Sequence, residues 1–391
     1  MRNNTPSKTR KTRQGTSLSR QFIKRLSSWL ALTTVLTVGT AHAASLYWDT
    51  DGNAVGNSAD GTGLGGATGF WNTGTANWWD GSNLVLWPNT NVDEAIFTAP
   101  YVAGAPSVKT VTISTGVTAN RLTFLRSGYV ITGGTLTLAG ATPTLFAGLG
   151  ESATINNQIL GSDGLTMTGG GSVRLGNNSN SYIGTTTISN GSLIITDQGA
   201  LGADTSAIVV TGFNPALAST NLRGFGGGSL VLDGSGGNIT ITRDLSLQGQ
   251  GPIADRGAAL ISTGNNTLSG VVTMGTAFSG TNVSTRVITA DGTLNLTGTL
   301  NVLGTAATTI SSFGGTNQAG ASFYNLTGVL AGSGTLEKAG GGTLFLSPSD
   351  SSGFSGTIRV SGSSASGQSE LRIGSAGAYF DSRFDALAIG S

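Results

Sequence analysis

A chain of 391 residues with only 10% charged side chains, 38% hydrophobic residues and 63 glycines against 8 prolines has the texture of a turn-rich folded protein. Cysteine is absent and the single histidine is His42, so disulfides, thiolate metal sites and, once a leader is removed, histidine-dependent catalysis are excluded. The formal charge of +1 hides an asymmetry: residues 44–391 carry 12 basic and 19 acidic side chains, net −7, which leaves no basic footprint for nucleic acid.

Residues 1–43 have the order of parts of a secretory signal: a basic stretch, an apolar run from Leu26 to Val38, and Ala41-His42-Ala43 ahead of Ala44. That run is too short for a stable bilayer anchor, which needs about 20 residues. No other transmembrane segment is expected. Residues 44–102 are rich in Trp, Asn, Asp and Gly, with Trp48, Trp71, Trp78, Trp79 and Trp87, and no tryptophan follows. The shift predicts a Trp-rich N-terminal cap, since the first coil of a stacked fold otherwise exposes an apolar face and a free strand edge.

From residue 103 to 391 the chain is a series of short alternating segments: Val108–Ile113, Thr135–Leu138, Ser229–Leu232, Asn238–Thr242, Thr293–Thr297 and Ser369–Ile373. Apolar residues alternating with Thr, Asn or Ser at period two predict half-buried strands, and the intervening glycines predict tight corners. No window carries a helical period. One stretch occurs twice: Gly164-Leu-Thr-Met-Thr-Gly-Gly-Gly-Ser-Val-Arg-Leu175 and Gly334-Thr-Leu-Glu-Lys-Ala-Gly-Gly-Gly-Thr-Leu-Phe-Leu346. Leu165 matches Leu336, Gly169–Gly171 match Gly340–Gly342, and an aromatic followed by glycine comes after each copy (Tyr182 and Gly184; Phe354 and Gly356). Such self-similarity predicts an all-β, right-handed parallel β-helix, or β-solenoid, of roughly 12 to 15 turns. An antiparallel sandwich or barrel is the competing reading, and Asn190-Gly191, Asp233-Gly234 and Asp291-Gly292 would serve as its hairpins.

The two segments, near 164–202 and 334–380, resemble the autotransporter-associated β-strand repeat. The first copy carries nearly the whole pattern through Gly191-Ser-Leu193, whereas the second has Gly362-Ser-Ser-Ala-Ser-Gly-Gln368 where a short turn is expected. The resemblance implies an exported, passenger-like surface or extracellular protein of a Gram-negative-type bacterium, displayed at the outer membrane and used in adhesion. It also implies a C-terminal barrel, and none is visible before Ser391. A longer parent protein, free secretion and retention by a partner all remain open.

Candidate chemistry is sparse. Asp49, Asp51, Asn53 and Asp60 supply oxygen at several positions of a calcium loop, but the glycine falls at the wrong place, and a polar turn is the simpler reading. Trp78 and Trp79, beside Asn77 and Asp80, are the candidate carbohydrate contacts; the alternative is a hydrophobic plug. Asp244 near Arg243, and Asp255 near Arg256, are each half of a carboxylate-based polysaccharide site, and sequence neighbours on a strand point to opposite faces. No cofactor or metal is expected and no catalytic residue is assigned. The expectation is a non-catalytic solenoid presenting a polar Thr/Ser/Asn face, with surface glycans or a host or neighbouring cell surface as partners; the alternative is a β-helix that binds or degrades polysaccharide.

Overall fold

The computed structural model describes residues 43–65, 68–99, 108–203, 205–211, 227–249, 251–252, 257–275, 285–304, 322–360 and 370–374, and the backbone alone at 310–315, 361, 369 and 387–390. The chain divides into two compact units, Met1–Ala41 and His42–Ser391, and only the second holds described residues. The signal segment at 1–43 thus lies outside them but for Ala43.

The fold is a stack of three-faced coils, as the alternating pattern predicts. One coil runs from Arg121–Phe124 on the first face to Tyr129–Gly133 on the second and Leu136–Leu138 on the third, then returns to the first at Thr144–Ala147. Each strand pairs in parallel with its equivalent in the next coil. The first face is a 14-stranded sheet, parallel except at its N-terminal end, where Trp78–Trp79 adds on antiparallel to Ser45–Trp48 and Leu84–Val85 antiparallel to Trp78–Trp79. No closed barrel forms among the described residues. The long strand Thr285–Leu296 turns the corner between second and third faces, pairing with Leu260–Thr263 through one half and Asn266–Leu268 through the other.

Inward residues form ladders along the stack. On the first face the register sets Leu122, Leu145, Met167, Ile188, Val210 and Leu247 one above another, each 0% exposed. Burying each such side chain contributes about 2 kcal/mol, and because a coil covers only its neighbours, the stack and not the single coil is the stable unit. Where the third face lacks a regular strand, side chains replace the rungs. Asn180 accepts from the Ile159 amide and donates to the Ala200 carbonyl, both at 2.8 Å, and so ties three coils together.

The repeated aromatic is buried in both copies: Tyr182 is 1% and Phe354 3% exposed. A Cβ at Gly356 would lie 1.9 Å from the Gly334 carbonyl oxygen of the preceding coil and 2.8 Å from the Phe354 ring, so the close approach of the backbone, with the ring beside it, requires glycine. For Tyr182 the close glycine is Gly202 of the following coil, whose Cβ would stand 3.2 Å from the ring, rather than Gly184. The two copies also differ in phase. Leu165–Thr168 lies on the first face and Ser172–Leu175 on the second, whereas Thr335–Gly340 lies on the second and Gly342–Leu346 on the third. The repeat encodes a strand, a glycine corner and a strand, and all three faces accept that unit because each presents the same inward period of two.

Candidate functional site

The N-terminal tryptophans are packed against one another. Trp48, Trp71 and Trp78 are 0% exposed and Trp87 is 1% exposed. Trp78 sits 5.1 Å from Trp48, 5.1 Å from Trp71 and 4.7 Å from Trp87 between ring centroids, and Phe97 continues the cluster to Phe124 in the next coil. Trp79 points the other way, is 7% exposed, and packs on Tyr47, Leu64 and Ala99. Neither Trp78 nor Trp79 has a free ring face, so the sugar contact expected of them loses its geometric basis. Packing, not ligand binding, accounts for their burial. The indole N–H groups of Trp48, Trp71, Trp78 and Trp79 have no hydrogen-bond acceptor, and only Trp87 donates, to the Thr118 carbonyl at 2.9 Å. An unpaired buried N–H costs about 1 to 3 kcal/mol, while burying 150 to 250 Å² of ring contributes about 4 to 6 kcal/mol; the apolar term wins.

The acidic loop is likewise committed to its own backbone. Asp49, fully buried, accepts from the Asp51 and Gly65 amides and from Asn57 Nδ2, and burial pushes its carboxyl above the usual range. Asp51 caps the Asn53 amide, Asn53 the Val55 amide and Asp60 the Thr62 amide. These are Asx turns. No group of three or more His, Cys, Asp or Glu that could hold a metal occurs among the described residues. Arg243 is buried and donates to the carbonyls of Ser206 and Leu201, while Asp244 is exposed and accepts from the Val271 amide. The two do not meet. Asp255 and Arg256 lie outside the described residues.

What the coils expose in order is their outer faces. Along the first face the outward register runs Thr166, Thr187, Val209, Ser246, Thr273 and Asn301, an uncharged line of half-buried residues that lies beyond buried Thr144 and the charged Arg121 and Glu94 of the same register. Strands about 4.8 Å apart set its spacing. On the C-terminal part of the third face two rows run side by side. One is Asn295, Asn325, Phe345 and Arg372; the other is Thr293, Phe323, Thr343 and Glu370. Asn325 Nδ2 donates to Asn295 Oδ1 at 2.9 Å, an amide ladder of the kind stacked strands allow. Phe323 and Phe345 are 6.3 Å apart, and the Arg372 guanidinium lies 5.3 Å from the Phe345 centroid. Glu370 accepts from Arg372 at 2.7 Å and from Thr343 at 2.8 Å, and these bonds hold its carboxyl below its ordinary range. The sequence reading missed this surface because Phe345 and Arg372 are far apart in the chain and meet only through coil register.

A parallel coil stack whose described features are a packed aromatic group near its N-terminal end and outward rows of Thr, Ser and Asn is a β-solenoid. Over 332 residues, 81% of this chain, it is 28% identical to the adhesin BmaC autotransporter of Brucella suis biovar 1 (strain 1330). The chain spans 9% of that protein's length. No family model matches the chain, so the repeat resemblance rests on the two segments themselves, and no solved structure matches it. No helix among the described residues is long and apolar enough to cross a membrane, which leaves β-barrel spans unaddressed.

Proposed function

We propose that this chain is a non-catalytic segment of an exported adhesive passenger, delivered by the signal at residues 1–43 and presenting its polar outer rows at the surface of a Gram-negative bacterium. The similarity to an autotransporter adhesin over 81% of the chain carries the reading. The uncharged first-face line supports it. Many weak, regularly spaced hydroxyl and amide contacts suit multivalent attachment, where avidity exceeds any single affinity. In this reading residues 44–102 are the cap and residues 103–391 the displayed body. The test is attachment: beads coated with the full chain should adhere saturably to host or neighbouring bacterial cells. Beads that bind no better than those carrying a bland protein would overturn the adhesive reading, and polysaccharide cleavage abolished by Asp244→Asn would replace it with an enzymatic one.

A further inference from the structure

Among the described residues the large exposed aromatics are Phe70 and Phe323, and Phe323 alone stands within a built polar grid. It is 36% exposed, with half-buried Thr293 beside it in its row and half-buried Asn325 beside it on its strand, while Thr343 on its other side is buried and gives its hydroxyl to Glu370. On the neighbouring rungs Arg372 covers one side of Phe345 and is neutralised by Glu370. The patch therefore offers an accessible ring, hydroxyl and amide partners, and no net charge. An aromatic face holds the C–H face of a sugar ring, while flanking Thr, Asn and Arg groups bond its hydroxyls. The surface is an open sheet face rather than the concave site a small molecule needs, so the matching ligand is an extended one that crosses several rungs.

Charge decides the class of polymer. Residues 44–391 carry net −7, and the strongest local cation is already paired, so an anionic polysaccharide meets repulsion with nothing to offset it. The geometry points to the third face around Thr293, Phe323, Asn325 and Arg372 as a binding surface for an extended neutral polysaccharide. This deepens the adhesive reading and rests on it. A protein partner is less suited, because interface hot spots sit in well-packed, desolvated pockets and this face is flat.

The experiment is affinity electrophoresis of the full chain through gels carrying dextran, mannan, galactomannan, xyloglucan or hyaluronate. Retardation by at least one neutral polymer is expected, with a loss of roughly tenfold or more in affinity for Phe323→Ala, whereas Phe70→Ala at the other end keeps the parent value. Arg372→Gln should weaken retention to a lesser degree. Matching circular dichroism and melts establish that each variant is folded. Retention by hyaluronate alone, retention unchanged in Phe323→Ala, or no retention by any neutral polymer each overturns the proposal. If coated beads still adhere to cells in any of those cases, the adhesive reading survives, and binding to a protein receptor on those cells is then the outcome that replaces the glycan.

Discussion

Lys338 gives the sharpest test of how these coils are held together. It is 0% exposed, and its Nζ donates to the carbonyls of Ala339, Gly340 and Gly341 at 3.0, 2.9 and 3.0 Å, with no carboxylate in the set. In the first copy of the repeat the same position is Met167, also fully buried. The lysine thus occupies a core position, and desolvation brings its pKa from 10.5 down to about 8. The folded state releases that proton before the unfolded state does. Between pH 8 and 10.5 the unfolded chain therefore binds more protons, and stability rises with pH; above 10.5 the gain is complete, and below 8 it is gone. At 1.36 kcal/mol per unit this amounts to about 3 kcal/mol. Lys338→Met removes the titration. Urea melts of both proteins followed by far-ultraviolet circular dichroism at pH 7, 8, 9 and 10 should show wild type gaining on the variant across the upper part of that range. Tyr324, raised to about 12 by burial, and Tyr129, raised further, lose stability as pH climbs above 10, but they do so in both proteins and cancel in the difference. A difference that stays flat from pH 7 to 10 would refute the reasoning, because it would mean the ammonium is solvated and keeps its ordinary pKa.

The aromatic plug predicts that Trp78→Ala costs about 3 to 5 kcal/mol through lost burial and a cavity, seen as an early loss of tryptophan fluorescence in denaturant. Tyr182→Ser should cost about 2 to 4 kcal/mol in urea melts, whereas Tyr182→Phe, which keeps the ring and removes the hydroxyl with its 2.8 Å contact to Thr186, should cost about 1 kcal/mol. Asn180→Ala strips a buried amide and carbonyl of their side-chain partner, so a loss of about 2 to 3 kcal/mol is expected by the same assay. Deleting residues 165–185 brings Thr186 and Thr187 into the register of Leu165 and Thr166, so the shortened chain should keep its β-sheet circular dichroism and protease resistance. Deleting 165–175 shifts the phase by two faces and should leave the chain protease-sensitive.

The solenoid was legible because period-two alternation and glycine corners are local signals, and every coil repeats them. Leu165, Val173 and Leu175 reveal their inward direction without any knowledge of their neighbours. The phase of the repeat was not legible. A strand-corner-strand unit reads the same whichever two faces it occupies, so the match of Leu165 to Leu336 conceals that one is on the first face and the other on the second. The fate of the tryptophans was half legible: their clustering announced a packed aromatic group, yet whether Trp78 and Trp79 faced solvent depended on the hairpin from Trp78–Trp79 to Leu84–Val85, an antiparallel departure from the parallel rule of the later strands.

The third-face patch shows the limit in its purest form. Thr293, Phe323, Thr343 and Glu370 come from four separate strands, and only coil length brings them into one row. In a globular enzyme a site is signalled by residue types that are costly to bury or expose. In a solenoid the cost falls instead on the inward ladder, and the outward positions are nearly free of folding constraint. Their content is therefore available to recognition, and the place to seek specificity in such a chain is where an outward row departs from the Thr, Ser and Asn that stacking alone accepts. Here one such departure falls at Phe323, Phe345, Glu370 and Arg372.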